Sequence, residues 1–117
     1  MEEALFALLS GAVSFPIAWG TLGSGTTLPR ASLYRTSGVR DMHLQGLGLM
    51  ESRVQIDCYG ETFAEAIAAS RDIRSVLEGH IGEPILGAFL DSVRDQFDDD
   101  AQLLHRVSLT FSITHRD

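Results

Sequence analysis

Leu103-Leu104-His105-Arg106-Val107-Ser108-Leu109-Thr110-Phe111-Ser112-Ile113-Thr114-His115 decides how this chain is read. Every second residue gives one series, Leu103, His105, Val107, Leu109, Phe111 and Ile113, and the residues between give another, Leu104, Arg106, Ser108, Thr110, Ser112 and Thr114. Side chains of a strand alternate between its two faces, so the pattern predicts one long strand with an apolar side and a hydroxyl-and-arginine side. The apolar side must be covered, and the polar side suits water or a polar partner. A strand this long is an aggregation hazard by itself, which places it inside a sheet with helices over the apolar face.

The same alternation recurs at residues 51–59, where Val54, Ile56 and Cys58 face one way and Arg53, Gln55, Asp57 and Tyr59 the other. Cys58 therefore reads as a small buried hydrophobe rather than a reactive thiol. Gly60 breaks that strand, and Thr62 followed by Glu65 forms a capping box that opens a helix. Phe63, Ala66, Ile67, Ser70, Ile73 and Leu77 recur at helical spacing, and Gly79 occupies the position after the last turn. Working outward, residues 31–36 read as a strand opened by Pro29, and residues 85–93 as another that follows Pro84. The polar run from Arg94 to Asp100 then joins an antiparallel pair. At the other end, Glu2 and Glu3 followed by Leu5, Leu8 and Leu9 predict a short helix that Gly11 stops. Residues 13–19 are apolar but contain Pro16, which suits an edge or an irregular segment. The expected fold is α+β: a mainly antiparallel four-stranded sheet with helices packed on one face, as a single domain over residues 1–117.

Composition narrows the function classes. The chain is 44% hydrophobic and 21% charged, which places it among globular proteins. No apolar run approaches the ~18 residues of a membrane-spanning helix, and an acidic start is unlike a secretory signal, so no membrane partner is expected. One cysteine excludes an internal disulfide, and a reducing, intracellular origin is the default. Sixteen carboxylates stand against nine basic residues, all arginine, for a net charge of −7. That balance argues against wrapping nucleic acid by counterion release, while leaving DNA free to pass nearby.

Candidate chemistry is thin. Gly20, Gly23 and Gly25 match neither a dinucleotide fingerprint nor a phosphate loop. Asp95 with Asp98, Asp99 and Asp100 lacks the glycine and closing glutamate of a calcium loop, and reads as a solvated turn. His43, His80, His105 and His115 have no zinc spacing. No nucleophile elbow occurs, and Asp57 and Asp91 form an acid pair only if the fold brings them together. No catalytic residue, metal or cofactor is expected. What remains is a glycine-bearing loop at 20–27 and an arm at 39–50 whose apolar content is high for such a segment. The arm is either a hairpin whose leucines pack on the core or a projection that meets another subunit. Gly23, Gly25, Met42, Leu44, Leu47, Leu49 and Met50 are the candidate subunit or partner interface.

Several stretches carry a resemblance: Leu28-Pro29, Tyr34, Ser37-Gly38, Arg53-Val54-Gln55-Ile56-Asp57-Cys58 and Thr62-Phe63-Ala64-Glu65-Ala66, then Phe89-Leu90-Asp91, Arg94-Asp95 and Arg106-Val107-Ser108-Leu109-Thr110-Phe111. In that order and spacing, residues 28–115 are similar to the short tail-completion, or tail-terminator, proteins of long-tailed bacteriophages, prophages and gene transfer agents. Residues 13–27 lie outside the resemblance. It implies a structural virion protein at the head–tail interface, made in the host bacterial cytoplasm. Its partners would be itself as a homohexamer ring, the tail tube protein and a head-side stopper or connector, with DNA passing through the channel without specific binding. Such a ring stops tube polymerisation and joins the tail to the head. The family offers no catalytic residue to carry over. The competing expectations are a stopper or another connector component, a tube subunit, a small α+β hydrolase and a small-ligand regulatory domain.

Overall fold

The computed structural model describes residues 2–20, 28–36, 40–41, 49–80, 85–97 and 105–116. Its elements are α1 (Glu2–Ala12), β1 (Ile17–Trp19), β2 (Arg30–Arg35), β3 (Arg40–Asp41), β4 (Leu49–Gly60), α2 (Phe63–Glu78), β5 (Ile85–Phe97) and β6 (His105–Arg116). The sheet runs β1-β2-β4-β6-β5, with the two-residue β3 paired to β4. Every pairing is antiparallel except β1 with β2. The four expected strands are β2, β4, β5 and β6, and the α+β class is as expected. β1 and β3 are additions, and β1 is the edge strand that Pro16 foreshadowed.

Register explains which side chains share a face. Along β4 and β6, Val54 pairs with Phe111, Ile56 with Leu109 and Cys58 with Val107, and on the neighbouring strand Ala31 pairs with Cys58 and Leu33 with Ile56. All are at most 1% exposed. Helix α2 lays Ala66, Ala69, Ile73 and Leu77 on this side, and α1 adds Leu5 and Leu9, so both helices share one core with the sheet. Trp19 closes the margin, donating from Nε1 to the Glu2 carbonyl at 3.1 Å. Arg35 and Glu2 form an ion pair that ties β2 to α1.

Several boundaries differ from the sequence reading, each for a physical reason. Helix α1 passes through Gly11 to Ala12, and Val13 N–H still donates to the Leu9 carbonyl at 3.0 Å. Burial of Leu5 and Leu9 outweighs one glycine in the final turn, which costs about 1 kcal/mol. Strand β5 continues to Phe97, so Arg94-Asp95-Gln96-Phe97 belongs to the strand and not to the connection. Arg94 pairs with Ser108 on the side that, among the described residues, no helix covers, where a polar residue costs a strand little.

The turn from β4 into α2 is tight. A Cβ built on Gly60 would lie 2.7 Å from Ala66 N and 2.9 Å from Glu65 Cβ, so only glycine fits. Glu65 N–H donates to Thr62 Oγ1 at 3.2 Å, the first half of the expected cap. The second half is shifted by one residue: the Glu65 carboxylate accepts from Glu61 N–H at 2.9 Å. At the far end Gly79 follows the helix with φ −94°, outside the left-handed region. Its N–H reaches the Ser75 carbonyl at 3.2 Å, so the helix ends without the left-handed cap that glycine commonly supplies.

Candidate assembly surfaces

Alternation along the strands leaves one broad polar side of the sheet away from the helices. It carries Arg30, Ser32 and Tyr34 from β2, Glu51, Arg53, Gln55, Asp57 and Tyr59 from β4, and Arg106, Ser108, Thr110, Ser112 and Thr114 from β6. The groups hold one another in place. Arg106 Nη1 lies 3.8 Å from Asp57 Oδ2, and Gln55 Nε2 donates to Asp57 Oδ1 at 2.8 Å. The Arg30 guanidinium sits 5.4 Å from the centre of the Tyr59 ring, within cation–π range. Burial raises the Tyr59 phenol, and its hydrogen bond with Arg106 pulls partly the other way. Toward β5, Asp91 Oδ2 accepts from Ser112 Oγ at 2.6 Å and lies 3.5 Å from Arg53 Nε. Asp57 and Asp91 therefore each keep a separate arginine. Asp57 pairs with Ser108 while Asp91 bonds Ser112, about 13 Å further along β6 at strand spacing, so they form no acid pair.

Gln55, Arg94, Arg106, Ser108 and Thr110 line a shallow depression of about 250 Å³ on this side. A second depression, about 420 Å³ and largely apolar, lies beside β1 and is lined by Glu2, Glu3, Phe6, Ile17, Ala18 and Trp19. The two outer strands of the sheet, β1 and β5, each have one strand neighbour among the described residues. Phe89 and Val93 stand out on β5, at 78% and 45% exposed. Phe89 pairs with Ser112 and so points to the polar side, whereas Val93 pairs with Leu109 and points to the helix side.

Among the residues named as an interface from sequence, Gly23, Gly25, Met42, Leu44 and Leu47 lie outside the described residues. Leu49 and Met50 begin β4, opposite Arg116 and His115, and Met50 also faces Asp41 across the β3–β4 hairpin. Phe89 and Val93 were missed because residues 85–93 read as one apolar run. In the structure Ala88 and Leu90 pack partly buried against the core, and Phe89 between them faces outward.

The other described chemistry-bearing groups make contacts within the fold. Cys58 is fully buried, and burial together with the Asp57 charge pushes its thiol up to about 12. Ser52 Oγ and His115 Nε2 are hydrogen-bonded at 2.9 Å, which has the spacing of a nucleophile and its base. At 0% and 4% exposed they join β4 to β6 beneath the surface instead. His105 is half-buried with its ring 6.0 Å from that of Phe63. His80 donates from Nε2 to the Ile85 carbonyl at 3.0 Å, and His43 lies outside the described residues.

Comparison with known proteins supplies the context. A family model described as tail completion protein gp17 matches residues 3–116. A chain from a solved structure titled "Virion of native gene transfer agent (GTA) particle" superposes with a TM-score of 0.64 at 16% identity, over 97% of this chain and 84% of that one. At that identity the likeness is one of fold. Comparison with curated proteins gives no match.

Proposed function

The chain belongs to the tail completion protein gp17 family, and from that premise we propose that it acts as a tail terminator, a closed ring that caps the finished tail tube. Membership makes it a structural component of a phage-type virion tail. In the terminator reading, six copies form a ring at the head-proximal end of the tube, stop further polymerisation and offer a surface to a head-side stopper or connector. DNA passes through the opening without specific binding, a role that suits a formal charge of −7 per copy. The fold's work is mechanical in this reading, with no cofactor and no catalytic group.

The observation that carries the reading is the extent of the family match, which takes in both helices and all six strands. A surface built from hydrogen-bonded, ion-paired polar groups fits contact and passage better than catalysis. The loop at 20–27 and the arm at 39–50 remain the proposed contacts with neighbouring subunits or with tube and connector proteins, through Gly23, Gly25, Met42, Leu44, Leu47, Leu49 and Met50.

The test mixes the purified chain with purified tail tube protein and measures tube lengths by electron microscopy. A terminator yields short tubes of uniform length that bear a ring at one end. Unlimited fibres containing this chain would make it a tube subunit, and tubes of unchanged length with no added ring would sink the reading. Replacing Leu47 and Leu49 together by Asp tests the arm: the monomer stays folded and ring formation stops. If the doubly substituted chain unfolds, those leucines belong to the core.

A further inference from the structure

We propose that copies of this chain join edge to edge, β5 of one against β1 of the next, so that the sheet runs on from subunit to subunit. The proposal rests on the ring reading and adds to it the surface on which the ring closes. Four observations carry it. First, among the described residues the sheet order leaves β1 and β5 as its outer strands, at opposite ends of one continuous ladder. Second, β5 is a long edge strand, Ile85–Phe97, with apolar side chains exposed on both of its faces, Phe89 on the polar side and Val93 on the helix side. Long exposed edges with apolar side chains are templates for strand pairing, and natural proteins cover them.

Third, the other end of the sheet offers a match. The edge of β1 borders the apolar depression formed by Phe6, Ile17, Ala18 and Trp19, with the exposed Glu3 carboxylate at its rim. Val93, exposed on β5, lies on the same side of the sheet as Ile17 and Trp19 and supplies an apolar counterpart to that depression. Fourth, strand directions agree. β1 runs parallel to β2, and the three antiparallel steps from β2 through β4 and β6 leave β5 opposed to β1. Copies placed side by side with the same facing therefore meet as an antiparallel pair. The two contact surfaces differ, so the contact is heterologous, and such contacts close into a ring when the rotation permits.

Cysteine cross-linking on assembled rings or whole tails tests this. Ala18 and Phe89 both point to the polar side, and Cys58 is fully buried, so background disulfides are suppressed. A chain carrying Ala18→Cys and Phe89→Cys is expected to give an oxidant-dependent ladder of intermolecular species that reductant collapses. Moving the β5 cysteine to Ser92 maps the register. Ala18→Cys with Ala64→Cys, placed on the exposed side of α2, is expected to give no ladder. Phe89→Asp should lower the ring fraction more than about tenfold while the far-ultraviolet circular dichroism stays unchanged.

The failures separate. Intact rings with no cross-link at either β5 position, or full ring formation by Phe89→Asp, overturn the edge contact and leave the terminator reading standing. A dimer formed by Phe89→Cys alone, or cross-links that join this chain only to tube protein, also overturns it by showing a different occupant. A wild-type chain found as a lone monomer in native particles overturns both.

Discussion

The two sides of the sheet are made by the same strands and are held by different forces. On the helix side Val54, Ile56, Val107, Leu109, Phe111 and Ile113 lose essentially all contact with water, and hydrophobic burial stabilises them. On the other side no helix lies among the described residues, yet Asp57 and Ser108 are 3% and 7% exposed, with Arg106 and Gln55 held against Asp57. The contrast teaches that one alternating pattern can assign stability to one face and leave the other free to meet partners. Burial on the polar side is accompanied by hydrogen bonds and ion pairs such as Gln55–Asp57 and Arg106–Asp57, which position side chains while contributing little net stability.

The sharpest contrast should appear in thiol reactivity. With burial and the Asp57 charge pushing its thiol up to about 12, Cys58 stays protonated at pH 8. Alkylation of the folded chain should therefore be negligible, while a cysteine placed at Thr110 on the open side reacts freely. Labelling of Cys58 at the rate of a denatured control would break the comparison. The stability sign follows from the same shift. The folded thiol holds its proton longer than the unfolded one, so its contribution is intact below about pH 9 and is lost as pH rises toward about 12.

Next in size is Phe111→Ala, which opens a cavity among fully buried side chains and should cost about 3–5 kcal/mol in urea unfolding. A loss under 1 kcal/mol would mean the helices do not pack as described. Gly60→Ala forces a methyl against the Ala66 and Glu65 backbone region and should cost about 1–3 kcal/mol, read as a lowered melting temperature. Ser52→Ala leaves the buried His115 ring without that hydroxyl, a loss of about 1–3 kcal/mol. The smallest effect belongs to the polar side: Thr110→Ala should stay within about 0.5 kcal/mol. A larger value there would show that the open side carries stability as well.

Much of this division was legible in the residues. The alternation ending at His115 and that through Cys58 gave both faces of the central strands, because one face is buried and the other is not. Thr62 and Glu65 marked the start of α2, since a cap is a local interaction written in adjacent residues. The length of β5 was not legible, because Arg94 to Phe97 reads as a polar turn until a neighbouring strand pairs with it. Nor was the exposure of Phe89, an apolar residue whose solvent-facing position depends on register with β6. The short parallel strand β1 is decided by pairing with β2 over three residues, a non-local event that no run of its own length encodes.

Gly60 has a consequence for motion. Where β4 passes into α2, the gap is narrower than a methyl group, so the helix has no room to swing on the strand that precedes it. The end of β4 and the first turn of α2 are in direct backbone contact at this point. A side chain at position 60 would therefore have to push the first turn of α2 off the strand that leads into it.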